Sequence, residues 1–488
     1  MNLRAVVKKI LLNKVVFYIV TRYFTYGIQF LFTFFIAVKL GPYYLGIWGF
    51  ILLLLNYLSL FNLGISNSIN VLLVQYKNDA SRSNNFLKTS LYLVGFVCGF
   101  FILLALYYYF LDIGYFNKYN LKPVFYLITI IAILTHYNNL FTSIFRVKND
   151  IFKISFYQSI IPVLCFICIF LAKDDDLITL LLVAYIVGNV ASLLFFIFDK
   201  RISFTGKYSK SDSQEILKKG FHLFIYNTCF YLIMISTKSF VSYFYRVEEF
   251  GYFSFTYILS NSILLMLNAF SFIIFPKMID KLSSQNKVEI KQSLSVIRNN
   301  YIVLAHILMY AIIVLYPLFL LFLPQYKATE SLFHIMCLTM LMNISCFGFN
   351  TFLIAQNKEK LIGVLALTAL ILNVLSCLLM IKLLNLPYEY IILSTLITYF
   401  VYSFLVVFFG KKLLDKHSTF LSIFKEFLPW NLFLPFVFSL TISILNTQFS
   451  IWLNGACLML FASLNVSKFK EIYHTIMRIL NRPTIINI

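Results

Sequence analysis

Residues 40–69 read LGPYYLGIWGFILLLLNYLSLFNLGISNSI, thirty consecutive positions without a charged side chain. A helix over 46–74 is long enough to cross the ~30 Å hydrocarbon core of a bilayer, and the Gly41-Pro42 pair ahead of it marks a turn. Outward from this segment, apolar runs of similar length recur to both ends of the chain. They place spans at 15–38, 46–74, 89–111, 123–145, 154–172, 177–198, 220–245, 250–275, 300–323, 331–355, 361–381, 388–410, 428–446 and 451–466. The fold class expected is therefore an all-α polytopic membrane protein of about fourteen transmembrane helices. The 488 residues are 61% hydrophobic and 12% charged, which leaves no stretch polar enough to coat a soluble domain. Lys8, Lys9 and Lys14 precede the first run, but it is about 24 residues long without a small-residue cleavage site. It reads as an uncleaved first helix rather than a signal peptide.

The net charge is +21, yet the basic residues sit in short runs between apolar segments, which fixes orientation rather than binding nucleic acid. Of the 40 Lys and Arg, 31 fall in the two termini and the even-numbered loops, and 7 in the opposite loops. Arg22 and Lys238 lie within spans. A missed or invented span in mid-chain would scramble this split, so both termini are expected in the cytoplasm and the short loops outside. The larger basic loops, 199–219, 276–299 and 411–427, fit topology and attraction to anionic headgroups, with a cytoplasmic protein partner as the lesser reading. The first of these separates six spans from eight, giving domains at 1–198, 199–219 (a basic linker), 220–410 and 411–488.

All eight cysteines fall inside spans, and the Cys165-Cys168 pair has no second pair or loop histidine with it. They read as buried thiols, not as a metal or redox site. An internal repeat is visible between residues 40–69 and RVEEFGYFSFTYILSNSILLMLNAFSFIIFPKMI at 246–279. Each has an outer loop, a glycine (Gly46, Gly251), an aromatic entry and an exit into a basic loop. Repeated halves are a common plan for transporters.

Several stretches resemble one known family. KLGPYYLGIWGF (39–50) with FNLGISNSI (61–69) is similar to the opening of polysaccharide flippases of the multidrug/oligosaccharidyl-lipid/polysaccharide exporter superfamily. NNLFTSIFRVKNDIFKISFYQSI (138–160), the 237–279 region, FLPQYKATESLFHIM (322–336), TFLIAQNKEK (351–360) and LNVLSCLLM (372–380) follow in the family's order. The resemblance implies two six-helix bundles around a central cavity plus two C-terminal helices. It implies a cargo of undecaprenyl-diphosphate-linked oligosaccharide (O-antigen or capsule type), moved from the cytoplasmic to the periplasmic leaflet of a bacterial inner membrane. The partners implied are that lipid-linked sugar and membrane lipids, and the resemblance allows a glycan polymerase and a chain-length regulator besides. No cofactor, metal or nucleic acid is expected.

The 19 acidic residues lie in loops, Glu389 at the very start of the 388–410 span included, so Arg22 and Lys238 have no carboxylate partner deep within the spans. A cation near the bilayer centre costs ~2.5–3.5 kcal/mol on insertion scales and normally faces a partner or a wet cavity. Both residues are accordingly candidates for contact with the cargo diphosphate, Arg through a bidentate fork. The alternative is that each snorkels to an interface about seven residues away. His136 and His306 are candidate cavity residues, though a packed core histidine is the commoner outcome; His222 and His334 sit too near span ends. Gln29, Asn227, Asn268, Asn343 and Asn373 could bond sugar hydroxyls or, equally, neighbouring helices. Pro317 and Pro435 should kink their helices.

Two rival transport readings remain. A lipid II flippase for peptidoglycan shares the helix plan and cationic cavity, whereas a cation-coupled multidrug exporter of the superfamily typically needs membrane carboxylates. A polysaccharide polymerase or ligase would need a substantial outer loop, and the longest here, 112–122, is short. KDDD at 173–176 fits a solvated turn better than a metal motif, and no Walker A sequence appears. The sequence therefore points to a transporter, not an enzyme.

Overall fold

The computed structural model describes residues 14–110, 114–148, 150–172, 176–199, 205–284, 286–445 and 449–472. The described residues form helices joined by short connections, without strands. Bilayer interiors dictate this outcome, because a spanning helix bonds its own backbone where no water is available. In chain order the helices are α1 (Lys14–Leu60), α2 (Ile65–Gln75), α3 (Ala80–Phe110), α4 (Phe125–Val147), α5 (Ile151–Leu171), α6 (Leu177–Ile197), α7 (Lys210–Phe244) and α8 (Val247–Leu282). There follow α9 (Lys287–Leu320), α10 (Glu330–Ile344), α11 (Phe349–Ala355), α12 (Glu359–Leu378), α13 (Ile392–Leu414), α14 (Phe420–Phe427), α15 (Trp430–Leu445) and α16 (Ser450–Leu464). Nine described helical segments are long and apolar enough to cross a membrane, or up to twelve when bent pairs count as one span each. α1 is itself two helices meeting at a non-helical Gly41 (φ 67°, ψ 175°), where the sequence places its first outer turn.

Three sequence expectations need correction. The spans at 46–74 and 331–355 are each broken, the first at residues 61–64 and the second at 345–348. Gly64 (φ 74°) and Gly348 (φ 85°) hold left-handed backbone at those breaks, a conformation that a Cβ disfavours. Much of the expected basic loops is helical. α7 begins at Lys210, and α8 and α9 run on to residues 282 and 287, leaving a short link where a loop at 276–299 was expected. Charged helix ends satisfy their own backbone and can project beyond the hydrocarbon, so hydropathy alone underestimates helix length. Of the KDDD turn, Lys173, Asp174 and Asp175 lie outside the described residues.

The chain forms two compact units, one of residues 1–228 and 245–251, the other of residues 229–244 and 252–488. In the first, α1 packs on α5, α5 on α6, α6 on α4, and α4 on α2 and α3. In the second, α13 packs on α10 and α12, while α9, α10, α15 and α16 form a connected group. Burial follows the membrane pattern. In the most apolar 18-residue stretch of Pro324–Ala355, 89% of the residues are buried within the protein, but in that of Phe152–Leu171 only 22% are, leaving side chains such as Phe170 and Leu171 for lipid.

Because lipid is as apolar as leucine, the helices are joined by close backbone approach and by polar bonds. Asn138 of α4 donates to the Asn189 carbonyl of α6 at 2.9 Å, and the Thr25 and Ser159 hydroxyls link α1 to α5 at 2.7 Å. The Lys153 ammonium meets Asp199 at 2.8 Å in a nearly buried pair. Lys39 donates to the carbonyls of Ile169 and Ala172, capping the end of α5.

The glycines of the internal repeat meet each other. A Cβ on Gly46 would stand 2.1 Å from the Val247 carbonyl oxygen, and one on Gly251 would stand 1.9 Å from that of Pro42 and 3.0 Å from the Gly46 nitrogen. The FNLGISNSI stretch has a similar use. Gly64 faces Gly220 at the backbone, and the Ser68 hydroxyl reaches the carbonyls of Gly64 and Ile216. Replacing Gly46 or Gly251 with Leu should cost at least the ~1–3 kcal/mol typical of overpacking. It should lower the melting temperature of the detergent-purified protein, with the same change at Gly27, which has open space around it, as the control.

Candidate functional site

The second unit contains a pocket whose floor is set by how α7 meets its neighbours. Ile233, Thr237 and Val241 recur at helical spacing on α7 and are fully buried. Thr237 bonds Thr395 of α13 at 2.7 Å, and Asn373 of α12 donates to the Ile233 carbonyl at 2.8 Å and to the Ser236 and Thr237 hydroxyls at 2.9 Å. Lys238 follows Thr237 by one residue, about 100° around the helix, and so turns away from this polar seam toward α8. It is 4% exposed, with its ammonium 3.7 Å from the centre of the Tyr257 ring. The aromatic face partly replaces the water that a buried cation has lost.

Tyr257 also lines an adjoining pocket of about 270 Å³, together with Tyr231, Tyr399, Asn261, Asn343 and Asn350. The broken segment at Cys346, Phe347 and Gly348 forms part of its wall. A break in a spanning helix is tolerated where the freed backbone groups face protein or a cavity. Phe347 is held there by stacking on Tyr301, with ring centres 3.8 Å apart, and the Asn350 side-chain oxygen accepts from Tyr402 at 3.2 Å. Tyrosine faces can stack on sugar rings and side-chain amides can bond hydroxyls, so the pocket offers chemistry for a polar, ring-bearing ligand beside a buried cation.

Arg22, in the first unit, is half-buried on α1; it donates to the Tyr26 hydroxyl at 2.7 Å and lies 4.6 Å from that ring's centre. Gln29, two turns along α1, keeps its side-chain oxygen buried and without a hydrogen bond among the described residues. Asn227 is exposed on α7. The side chains of Asn268 and His222 lie outside the described residues. His136 is 3% exposed, 2.9 Å from the Leu58 carbonyl and packed on Phe101. His306 is fully buried, 2.8 Å from the Ile302 carbonyl and stacked on Phe461. Both histidines thus occupy packed helix interfaces. Sequence reading singled out Lys238 and Asn343 but missed Tyr231, Tyr257, Tyr399, Asn261 and Asn350. The available signal was tyrosine and asparagine within apolar spans, diluted among 33 tyrosines.

Asn373 joins helices rather than lining this pocket. Asn373→Ala should therefore lower stability by about 1 kcal/mol, read as a lower melting temperature, while transport per folded molecule stays at the wild-type level.

Residues 11–282 match the model of a family described as "Polysaccharide biosynthesis protein". A search of curated protein sequences finds no significant match. Among solved structures, the chain is similar to the lipid II flippase MurJ in an inward closed conformation, with TM-score 0.69 and 14% identity over 95% of this chain and all of that one. It is also similar to an inward-facing multidrug resistance MATE family transporter of the MOP superfamily, with TM-score 0.66 and 13% identity over 81% of this chain and 96% of that one. A MATE structure in the bent conformation aligns with TM-score 0.56 at 14% identity, over 83% of this chain and 95% of that one. At such identities the likeness establishes the fold alone, one shared with these structures. The family model spans more than half of the sequence, and the chain belongs to the polysaccharide biosynthesis protein family.

Proposed function

We propose that the chain is a flippase carrying undecaprenyl-diphosphate-linked oligosaccharide repeat units, of O-antigen or capsule type, from the cytoplasmic to the periplasmic leaflet of a bacterial inner membrane. The observation that carries this reading is Lys238, a buried cation on the Tyr257 ring next to a pocket of tyrosines and asparagines, in a chain of the polysaccharide biosynthesis family. A diphosphate would bring an opposite charge to Lys238, and the attached sugars would bring rings and hydroxyls to the pocket. Arg22 of the other unit, with its guanidinium steadied by Tyr26, offers the headgroup a separate contact in the course of transport. Residues 1–198 and 220–410 act as two bundles exchanging access between the faces, with 199–219 as linker and both termini cytoplasmic. The polyprenyl tail stays in lipid while the headgroup crosses. Transport here moves a cargo without breaking a covalent bond in it, which is why the chain is read as a transporter and not an enzyme.

The test is complementation in a bacterial strain lacking its own O-antigen flippase, scored by surface glycan at matched protein level. Wild type should restore glycan, and Lys238→Met should reduce it at least tenfold, because taking a desolvated cation away from an anion costs about 2 kcal/mol or more. Arg22→Ala should give a smaller decrease, since that side chain is only half-buried. Full rescue by both variants would remove the two cations from the site. Rescue of a strain lacking its lipid II flippase, with none of the O-antigen strain, would move the cargo to lipid II.

A further inference from the structure

A second charged pocket lies in the second unit, at the end of the helices where the basic segments cluster. Ser295, Arg298 and Asn299 of α9, Lys425 and Glu426 of α14, Asn431 of α15 and Lys468 line a space of about 240 Å³. Two elbows shape it. α14 meets α15 at a 65° bend, and α16 meets the 466–472 helix at a 70° bend, so both short helices turn off the direction of the spans they join. The Asn431 amide donates to the Asn465 side-chain oxygen at 2.6 Å, and the Asn465 amide donates to the Asn431 carbonyl at 3.2 Å, locking the elbows together.

Arg298 forms the floor. It is 2% exposed, and its Nη2 donates to the carbonyls of Ser345 and Phe427 at 3.1 and 2.9 Å. Its Nε has no hydrogen-bond partner among the described residues. The carboxylate of Glu426 lies 3.0 Å from the Lys411 ammonium and 3.7 Å from Arg298 Nη1, so it is shared between two cations. Lys468 also pairs with Glu471 at 3.0 Å. With Lys411 and Glu471 counted, four cations stand against two carboxylates, so the surroundings stay positive, with neutral amides and a hydroxyl in the lining. Beside it, Phe420, Leu421 and Trp430 are each at least 60% exposed. α14 buries Ile423 and Phe427 inside the unit and leaves Leu421 on the same face as Lys425, so an exposed apolar side chain and a cation stand together, and tryptophan concentrates at membrane interfaces.

We propose that this pocket binds the phosphate of an anionic phospholipid, its acyl chains running past Phe420, Leu421 and Trp430. The apolar rim singles out a lipid over a free phosphate, and the charge singles out an anionic over a zwitterionic headgroup. Its elbows and α9 belong to one unit, so an occupant would hold α14 and the 466–472 helix against α9. This site is independent of the cargo reading above, and its test uses no transport.

The experiment is native mass spectrometry of the delipidated, detergent-purified full chain, titrated with phosphatidylglycerol and, separately, phosphatidylcholine. Wild type should retain phosphatidylglycerol preferentially. Lys425→Ala combined with Lys468→Ala should weaken that retention roughly fivefold per lysine, or about twenty-fivefold for the pair, with an unchanged melting temperature. Arg298→Lys should weaken it as well, and if that variant fails to fold, the rim pair still decides. Equal retention by wild type and the rim variant, or equal retention of the two lipids, overturns the proposal. Displacement of the lipid by millimolar glycerol 3-phosphate would overturn it in favour of a soluble phosphate.

Discussion

In hydrocarbon, a main-chain N–H or C=O has only the protein to bond to, and this governs the molecule more than any side-chain preference. It forces the chain into helices and makes every interruption conspicuous. At 61–64 and 345–348 the helices break, and at each break freed groups are taken up locally. The Asn62 side chain accepts from the Gly64 amide at 2.8 Å, and the Ser345 carbonyl accepts from Arg298. The second break lies in the most thoroughly buried stretch of its unit and helps to wall the pocket beside Lys238. A helix broken within an apolar span is tolerated where the freed groups face protein or a cavity, as they do here.

The same constraint explains the polar content of the interior. Side chains that would be surface decoration in a soluble protein become fasteners here: Asn138 between α4 and α6, Asn373 and Thr237 across α7, α12 and α13, and Asn465 at an elbow. Lys238 differs from these. Its contact among the described residues is the face of the Tyr257 ring rather than a carboxylate or carbonyl. Lys153, by contrast, is paired with Asp199, and Lys39 donates to two carbonyls.

Much of the architecture was legible in sequence because hydropathy reads transfer energy directly, and transfer energy decides what enters a membrane. The helical class, most span positions and the turn at Gly41 came from that signal, as did the placing of Lys238 within a span. The breaks at Gly64 and Gly348 were not legible, since glycine also serves for close packing and a broken helix has the same composition as an intact one. The helical nature of the basic segments was hidden for a related reason: hydropathy reports depth, not backbone conformation. Asn373 and Asn343 looked alike as polar residues within spans, yet one is a fastener and the other lines the pocket. Only the rotational setting of α10 and α12 against their neighbours separates them.

Gly46 and Gly251 occupy matching places in the two copies of the repeat, and each closes against the main chain of the other copy's segment. Where side chains make a contact, a change on one side can be answered by a change on the other, and duplicated halves drift apart through such exchanges. A contact built from main chain has no answering substitution, because nothing opposite can be made smaller. At this crossing a side chain on either glycine would have to displace backbone, and no change in the opposite segment could relieve it.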